Sequence, residues 1–220
     1  MNAHHDIAAT LAERQQQALQ LLHRARIMPV LSLASVEQGL ACAKALAAGG
    51  LTAIEVTLRT PVALQAIRAI RDAGLGLSVG AGTVLDAAQL EAVIAHGAEF
   101  IVTPGTPPAL ADALQRAPLP VIPGAATAGE IMALRARGFR TLKFFPAAPS
   151  GGVNALKALH GPFADLYFCP TGGIGEHDAK DYLALPNVPC VGGSWMVNKE
   201  WLDAGDWAAV TASARRSMGG

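Results

Sequence analysis

Thr141-Leu142-Lys143-Phe144-Phe145-Pro146 is the stretch whose reading decides the fold. Threonine and phenylalanine favour strands, and Pro146 ends the run because it brings no ladder donor. Strand side chains alternate faces, so Lys143 shares one face with Thr141 and Phe145 while Leu142 and Phe144 share the other. If both faces are covered, as in a parallel α/β sheet, the ammonium group is at least partly desolvated. Desolvation disfavours the charged form of an amine and so favours a nucleophile. Taken alone, the stretch fits better a strand-end lysine that packs its stem and sends its head to water.

Outward from this strand the chain alternates with a short period. Strand-like runs occur at 27–33, 53–58, 77–80, 100–103, 121–123, 141–145, 166–170 and 189–192. Between them lie Ala- and Leu-rich helix-like runs at 36–48, 61–73, 86–96, 107–116, 128–137, 153–159 and 176–183, and a last helical region at 196–216 broken near Gly205. Thr60-Pro61 and Thr106-Pro107 set proline at a helix start after a capping residue, and Gly49, Gly74, Gly97 and Gly138 follow expected helix ends. Ahead of the first strand, Leu11, Ala18, Leu19, Leu21 and Leu22 give an apolar stripe that predicts a helix over about 11–24, with residues 1–10 a loose tail. Eight strands alternating with helices predict an α/β fold, a (β/α)8 TIM barrel with an extra N-terminal helix, as one domain over 1–220. The competing architecture is an open doubly wound sheet. It normally uses fewer repeats and a glycine-rich first turn, and none follows Leu33.

Composition narrows the function classes. Hydrophobic residues make up 51% and charged residues only 15%, which points to a large buried fraction and to an oligomer. Formal net charge is zero, so there is no basic field for nucleic acid. Cys42, Cys169 and Cys190 are far apart and form no CxxC pair, so neither a zinc ribbon nor a disulfide framework is suggested, and Cys169 and Cys190, in apolar strand-like runs, read as buried reduced thiols. No apolar stretch reaches membrane-spanning length and the N-terminus does not read as a signal peptide, so a cytoplasmic protein is expected. The histidines (His4, His5, His23, His96, His160, His177) pair with no second ligand at helical or strand spacing, so neither metal nor cofactor is expected; His4-His5 reads as solvated tail.

Barrel active sites sit where the strands end, and the unusual residues fall there. In Glu55-Val56-Thr57-Leu58-Arg59-Thr60, alternation points Glu55 into the barrel with Thr57 and Arg59. A carboxylate there is either a structural ion pair, with Arg59 or Lys143, or an acid/base group. Arg59 can grip a carboxylate in a bidentate fork, although most arginines serve only as surface charges. Gly80-Ala81-Gly82-Thr83 allows close backbone approach and offers a hydroxyl; Thr83 also reads as an ordinary turn or capping residue. Pro104 lies in a tight turn that can shape a pocket wall, and Thr127 reads as the cap of the next helix. Thr171-Gly172-Gly173 and Gly192-Gly193-Ser194 follow the seventh and eighth strands, the recurrent phosphate loops of such barrels, though one Gly-Gly alone marks any turn. A lysine, an acid and a phosphate cradle point to Schiff-base chemistry, in which an iminium accepts the electrons of a breaking C–C bond.

The motifs Glu55–Thr60 (EVTLRT), Gly80–Thr83 (GAGT), Lys143–Pro146 (KFFP), Phe168–Ile174 (FCPTGGI) and Gly192–Trp195 (GGSW) closely resemble 2-keto-3-deoxy-6-phosphogluconate aldolases over about residues 20–210. The resemblance implies a homotrimeric barrel that splits a phosphorylated keto-deoxy sugar acid into pyruvate and glyceraldehyde 3-phosphate, in many members with activity on 4-hydroxy-2-oxoglutarate. It implies Lys143 as the Schiff-base lysine and Glu55 as the general acid/base, with Arg59 and Thr83 on the pyruvate carboxylate. It further implies Phe145 and Pro104 as pocket walls, Thr171, Gly172 and Gly173 on the substrate's polar end, and Gly193 and Ser194 on its phosphate. Aldolases for the galactose-derived epimer are close competitors, but the KFFP and PTGG forms favour the gluconate type. A phosphosugar epimerase would share the phosphate loops yet usually needs a metal or paired acids, and a non-catalytic phosphate-binding barrel gives Glu55 and Lys143 no reason to meet. The loop Ala147-Ala148-Pro149-Ser150 departs from the family in lacking an acidic residue, which is expected to alter loop packing or rate rather than reaction type.

Overall fold

Side-chain parity along the strands sorts the core into two separate clusters. Leu31, Ile54, Val56, Ile101, Leu142, Phe144, Phe168 and Val191 face outward and pack with the surrounding helices. Their neighbours Met28, Ala53, Phe100, Val102, Cys169 and Cys190 face inward. The computed structural model that shows this describes the backbone of residues 3–219 and the side chains of residues 11–219. The strands run in the order β1 (Ile27–Leu31), β2 (Ala53–Thr57), β3 (Ser78–Gly82), β4 (Phe100–Val102), β5 (Val121–Ile122), β6 (Gly124–Ala125), β7 (Thr141–Phe144), β8 (Tyr167–Pro170) and β9 (Val191–Gly193). The helices are α1 (Ala3–Ala25), α2 (Val36–Ala48), α3 (Ala63–Asp72), α4 (Ala87–Ala95), α5 (Pro108–Arg116), α6 (Ala128–Ala136), α7 (Gly152–His160), α8 (Ala179–Leu183), α9 (Lys199–Ala204) and α10 (Trp207–Ser217).

All strand pairs are parallel, in a six-stranded run β5-β4-β3-β2-β1-β9 and a three-stranded run β6-β7-β8. The two runs join at both ends. A parallel bridge links Thr171, just past β8, to Gly192 of β9. On the other side Pro123 alone separates β5 from β6, and its carbonyl accepts the Lys143 N–H at 2.9 Å. Proline has no N–H to continue a ladder, so the expected fifth strand is split into two short segments within one eight-stranded barrel. Thr103 seals this corner: its hydroxyl oxygen accepts the Gly124 N–H at 2.9 Å and shares a hydrogen bond with Thr106 at 2.8 Å.

The extra helix plugs the N-terminal end of the barrel. Ala18, Leu21, Leu22 and Ala25 of α1 belong to the inward cluster. Leu22 is wholly buried, worth roughly 1.5–3 kcal/mol of burial for such a side chain. The helix runs back to Ala3, where a loose tail is the sequence expectation; Ala3, Ala8 and Ala9 are good helix formers and no Gly or Pro breaks the run. Residues 1–2, and the side chains of His4 and His5, lie outside the described residues.

Some of the expected helix punctuation differs. Thr127 does cap α6, accepting the Glu130 N–H while Glu130 accepts the Thr127 N–H, a capping box. Thr60 and Thr106 do not cap: α3 starts after Val62 without a side-chain cap, and the Thr106 hydroxyl donates across to the Gly124 carbonyl at 3.0 Å. Gly49 does follow the end of α2 as its C-cap, and the next residue, Gly50, takes the left-handed turn with φ 93°.

Candidate active site

Lys143 and Glu55 meet inside the barrel. The two strands lie on different arcs of the ring, and inward parity aims both side chains at its axis. Lys143 Nζ lies 3.1 Å from Glu55 Oε1 and 3.5 Å from Oε2. The two residues are only 4% and 2% exposed, so the pair is almost dry. Arg59, the other partner considered from sequence, is exposed at the strand end. Burial strengthens the attraction within the pair but also costs both groups their hydration, so the firm consequence is that separating the two would leave a buried charge without compensation.

Glu55 has this seat because residue 82 is glycine. A Cβ at Gly82 would stand 2.1 Å from Glu55 Oε1 and 2.6 Å from its Cγ and Cδ. Beneath the pair Cys190 is fully enclosed. Its thiol is pushed well above the ordinary value by burial, then by the neighbouring Cys169 sulfur and the Glu55 charge. All three cysteines are free and buried, as the sequence suggests for Cys169 and Cys190. On the other side, Lys143 Nζ sits 5.2 Å from the centroid of the Phe145 ring.

Phe145 forms part of the wall of a cavity of about 480 Å³ at the C-terminal ends of the strands. Of the sequence candidates, Arg59, Phe145, Thr171, Gly172, Gly173, Gly193 and Ser194 line it together. Gly172 and Gly173 adopt φ of 100° and 74°, a backbone that side-chain-bearing residues rarely take, so that turn depends on both glycines. Lys143 and Glu55 stand outside this lining, linked to it through Phe145, and so do Thr83 and Pro104, half-buried in the loops after β3 and β4. Thr83 is left-handed with φ 58°, an outlier for a β-branched residue, and such strain is commonest at working sites. The cavity also brings in Ser32, Gln38, Lys199 and Asp203, which the strand-end motifs give no reason to select. Among the described residues no group of three His, Cys, Asp or Glu is placed to hold a metal ion.

A closed parallel barrel that holds a desolvated lysine–carboxylate pair, with the Phe145 ring shared between the lysine and a glycine-lined cavity, defines a class: barrel enzymes whose site lies at the strand ends. Comparison with known proteins sharpens this. The family model for KDPG and KHG aldolases matches residues 19–213, and the chain belongs to that family. It is 48% identical to the 2-dehydro-3-deoxy-phosphogluconate aldolase of Pseudomonas aeruginosa over 198 residues, covering 90% of each chain. It is 45% identical to the KHG/KDPG aldolase of Escherichia coli, covering 88% of this chain and 91% of that one. The structure of KDPG aldolase from Legionella pneumophila, with pyruvate captured as a covalent carbinolamine intermediate, superimposes with a TM-score of 0.89 at 40% identity, covering 91% of this chain and 98% of that one.

Proposed function

We propose that this chain is a class I aldolase that cleaves 2-dehydro-3-deoxy-6-phosphogluconate to pyruvate and D-glyceraldehyde 3-phosphate, and 4-hydroxy-2-oxoglutarate to pyruvate and glyoxylate. The observation that carries this is the buried 3.1 Å pair between Lys143 and Glu55 under a cavity walled by phosphate-type loops. A proton passing from Lys143 to Glu55 leaves a free amine, which attacks the substrate C2 ketone. Glu55 returns that proton as the carbinolamine loses water, giving an iminium. Glu55 then takes the C4 hydroxyl proton while the C3–C4 bond breaks; its electron pair flows into the iminium, leaving a pyruvate enamine and the free aldehyde. Protonation at C3 and hydrolysis release pyruvate and restore the amine. The iminium is itself the electron sink, so the chemistry calls for no metal ion. Lys143 and Glu55 act as the catalytic residues.

Arg59 and Thr83 hold the substrate carboxylate and so fix the plane in which electrons enter the iminium. Pro104 and Phe145 wall the reacting carbons. Thr171, Gly172 and Gly173 hold the polar end, and Gly193 and Ser194 bind the phosphate with neutral donors. Membership of the family supports assembly as a homotrimer and a cytoplasmic setting, and the low charged fraction supports an oligomer of some kind. Among the described residues no helix is long and apolar enough to cross a membrane.

Borohydride reduction in the presence of pyruvate tests the reading. The expected result is a stable adduct on the peptide that contains Lys143, absent in Lys143→Met, together with pyruvate release from the phosphorylated substrate that survives EDTA. An adduct on another lysine, or turnover that EDTA abolishes, overturns it.

A further inference from the structure

The glycine loops at the phosphate end of the cavity offer neutral donors only. Gly172, Gly173, Gly193 and Ser194 bring backbone N–H groups and one hydroxyl to a group that carries close to two negative charges. The cavity lining contains two cationic side chains, Arg59 and Lys199. Arg59 is engaged with the substrate carboxylate in the reading above, which leaves Lys199. Chain geometry puts it at the right end. A single 3-10 turn, Trp195–Val197, follows Ser194 and is closed by the Val197 N–H donating to the Ser194 carbonyl at 3.0 Å. Lys199 opens the next helix, α9, and lines the same cavity as Ser194.

In the structure Lys199 pairs with Asp203 one turn along α9, and Asp203 also lines the cavity. Both side chains are well exposed, at 85% and 54%. Exposed pairs at this spacing hold only weakly, and lysine has a long flexible stem, so the ammonium is easily drawn away by a stronger anion. The helix is itself fastened to the cavity wall: Gln38 of α2 donates to the Leu202 carbonyl at 3.3 Å.

We infer that Lys199 and Asp203 set the enzyme's preference for phosphorylated over unphosphorylated sugar acids, Lys199 moving from Asp203 to the incoming phosphate while Asp203 opposes it. The inference rests on the aldolase reading and deepens it. One ammonium beside a dianion, in a dielectric near that of water and partly screened by salt, is worth on the order of three- to tenfold in affinity.

The experiment compares wild type, Lys199→Gln and Asp203→Asn on the phosphorylated keto-deoxy sugar acid and on the same acid without its phosphate. For Lys199→Gln, KM for the phosphorylated substrate is expected to rise about three- to tenfold at low ionic strength, to converge on wild type at high salt, and to leave the unphosphorylated substrate within about twofold. Asp203→Asn is expected to shift the phosphorylated KM the opposite way. Equal shifts on both substrates, no shift at low salt, or shifts of the same sign in the two variants overturn the inference, the last because it makes the pair a mere clamp on α9. Protection of each protein against thermal unfolding by inorganic phosphate gives a readout without turnover, and should weaken in Lys199→Gln. A wild type that binds phosphate but releases no pyruvate would count against the aldolase reading, whereas one that releases pyruvate with Lys199→Gln unchanged counts against the role of Lys199 alone.

Discussion

Gly82→Ala adds one methyl group and touches neither Lys143 nor the cavity lining, yet it should nearly silence the enzyme. The new Cβ falls 2.1 Å from Glu55 Oε1. To recover an ordinary contact of about 3.4 Å the carboxylate must retreat by roughly 1.3 Å. A displacement of that size disturbs the geometry in which Glu55 Oε1 stands 3.1 Å from Lys143 Nζ, because hydrogen bonding tolerates only a few tenths of an ångström at that distance. If the side chain yields, the cost falls on catalysis: losing positioned acid/base help slows reactions roughly 10²- to 10⁴-fold, about 2.7–5.4 kcal/mol of barrier. If the backbone of β3 yields instead, the cost falls on stability, typically about 1–3 kcal/mol for overpacking a core. A lactate dehydrogenase-coupled pyruvate-release assay alongside thermal unfolding separates the two. In the first case Gly82→Ala unfolds near the wild-type temperature with kcat down at least a hundredfold and borohydride trapping of pyruvate slowed in parallel. Activity within threefold of wild type at an unchanged Tm would show that Glu55 has freedom to move, and would refute the claim that Gly82 fixes its seat.

Thr83→Gly relieves a left-handed threonine that costs about 1–3 kcal/mol, partly offset by the greater unfolded-state freedom of glycine. Tm should rise by about 2–4 °C per net kcal/mol while KM for the keto acid rises, and a lower Tm would contradict the strain argument. Thr127→Ala removes the α6 capping box and should cost about 1 kcal/mol, lowering Tm by about 2–4 °C with kcat unchanged, as differential scanning calorimetry and the same coupled assay will show. Burial pushes the Cys42 thiol up to about 12, so in alkali the unfolded chain loses a proton that the folded one keeps. The associated stability is intact below the ordinary thiol value of about 8.5 and is lost as pH rises from there towards the folded value, at up to about 1.4 kcal/mol per pH unit. Urea titrations between pH 8 and 11 should show a flatter decline for Cys42→Ala than for wild type; identical slopes would refute it.

Much of this architecture could be read before any coordinates, because barrels advertise themselves through parity. Ile54, Val56, Leu142 and Phe144 alternate with Glu55, Thr141 and Lys143, and once the eight-strand count closes a barrel that alternation turns Glu55 and Lys143 inward. What escaped the reading was settled by contacts distant in sequence. Pro123 looked like a strand end, but the Lys143 N–H reaches its carbonyl and strand pairing resumes at Gly124. Thr106 fits a helix cap on local grounds, yet the corner next to Thr103 and Gly124 offers its hydroxyl partners. Lys199 and Asp203 belong to no strand-end motif and reach the cavity only because the turn after Ser194 folds the chain back over it.

The extra helix shows how far the lysine's position depends on the opposite end of the barrel. Gln15 of α1 is buried and fully used. Its Oε1 accepts the N–H groups of Arg140 and Thr141, at 2.8 and 2.9 Å, and its Nε2 donates to the Val121 carbonyl at 2.9 Å. One side chain thus ties the entry of β7 to β5 across the corner that Pro123 interrupts. Thr141 is two residues before Lys143, on the same inward face. A slip of one residue there would turn Lys143 outward among the helices and bring Leu142 or Phe144 to the axis. β8 pairs with β7 along its whole length, but on the other side only Gly124 and Ala125 are registered partners, and there Gln15 adds a tie that the sheet lacks. The plug at the bottom of the barrel and the amine near its top therefore belong to one device: α1 holds the entry of β7 on the side that β8 does not cover, and the register so held fixes where Lys143 points.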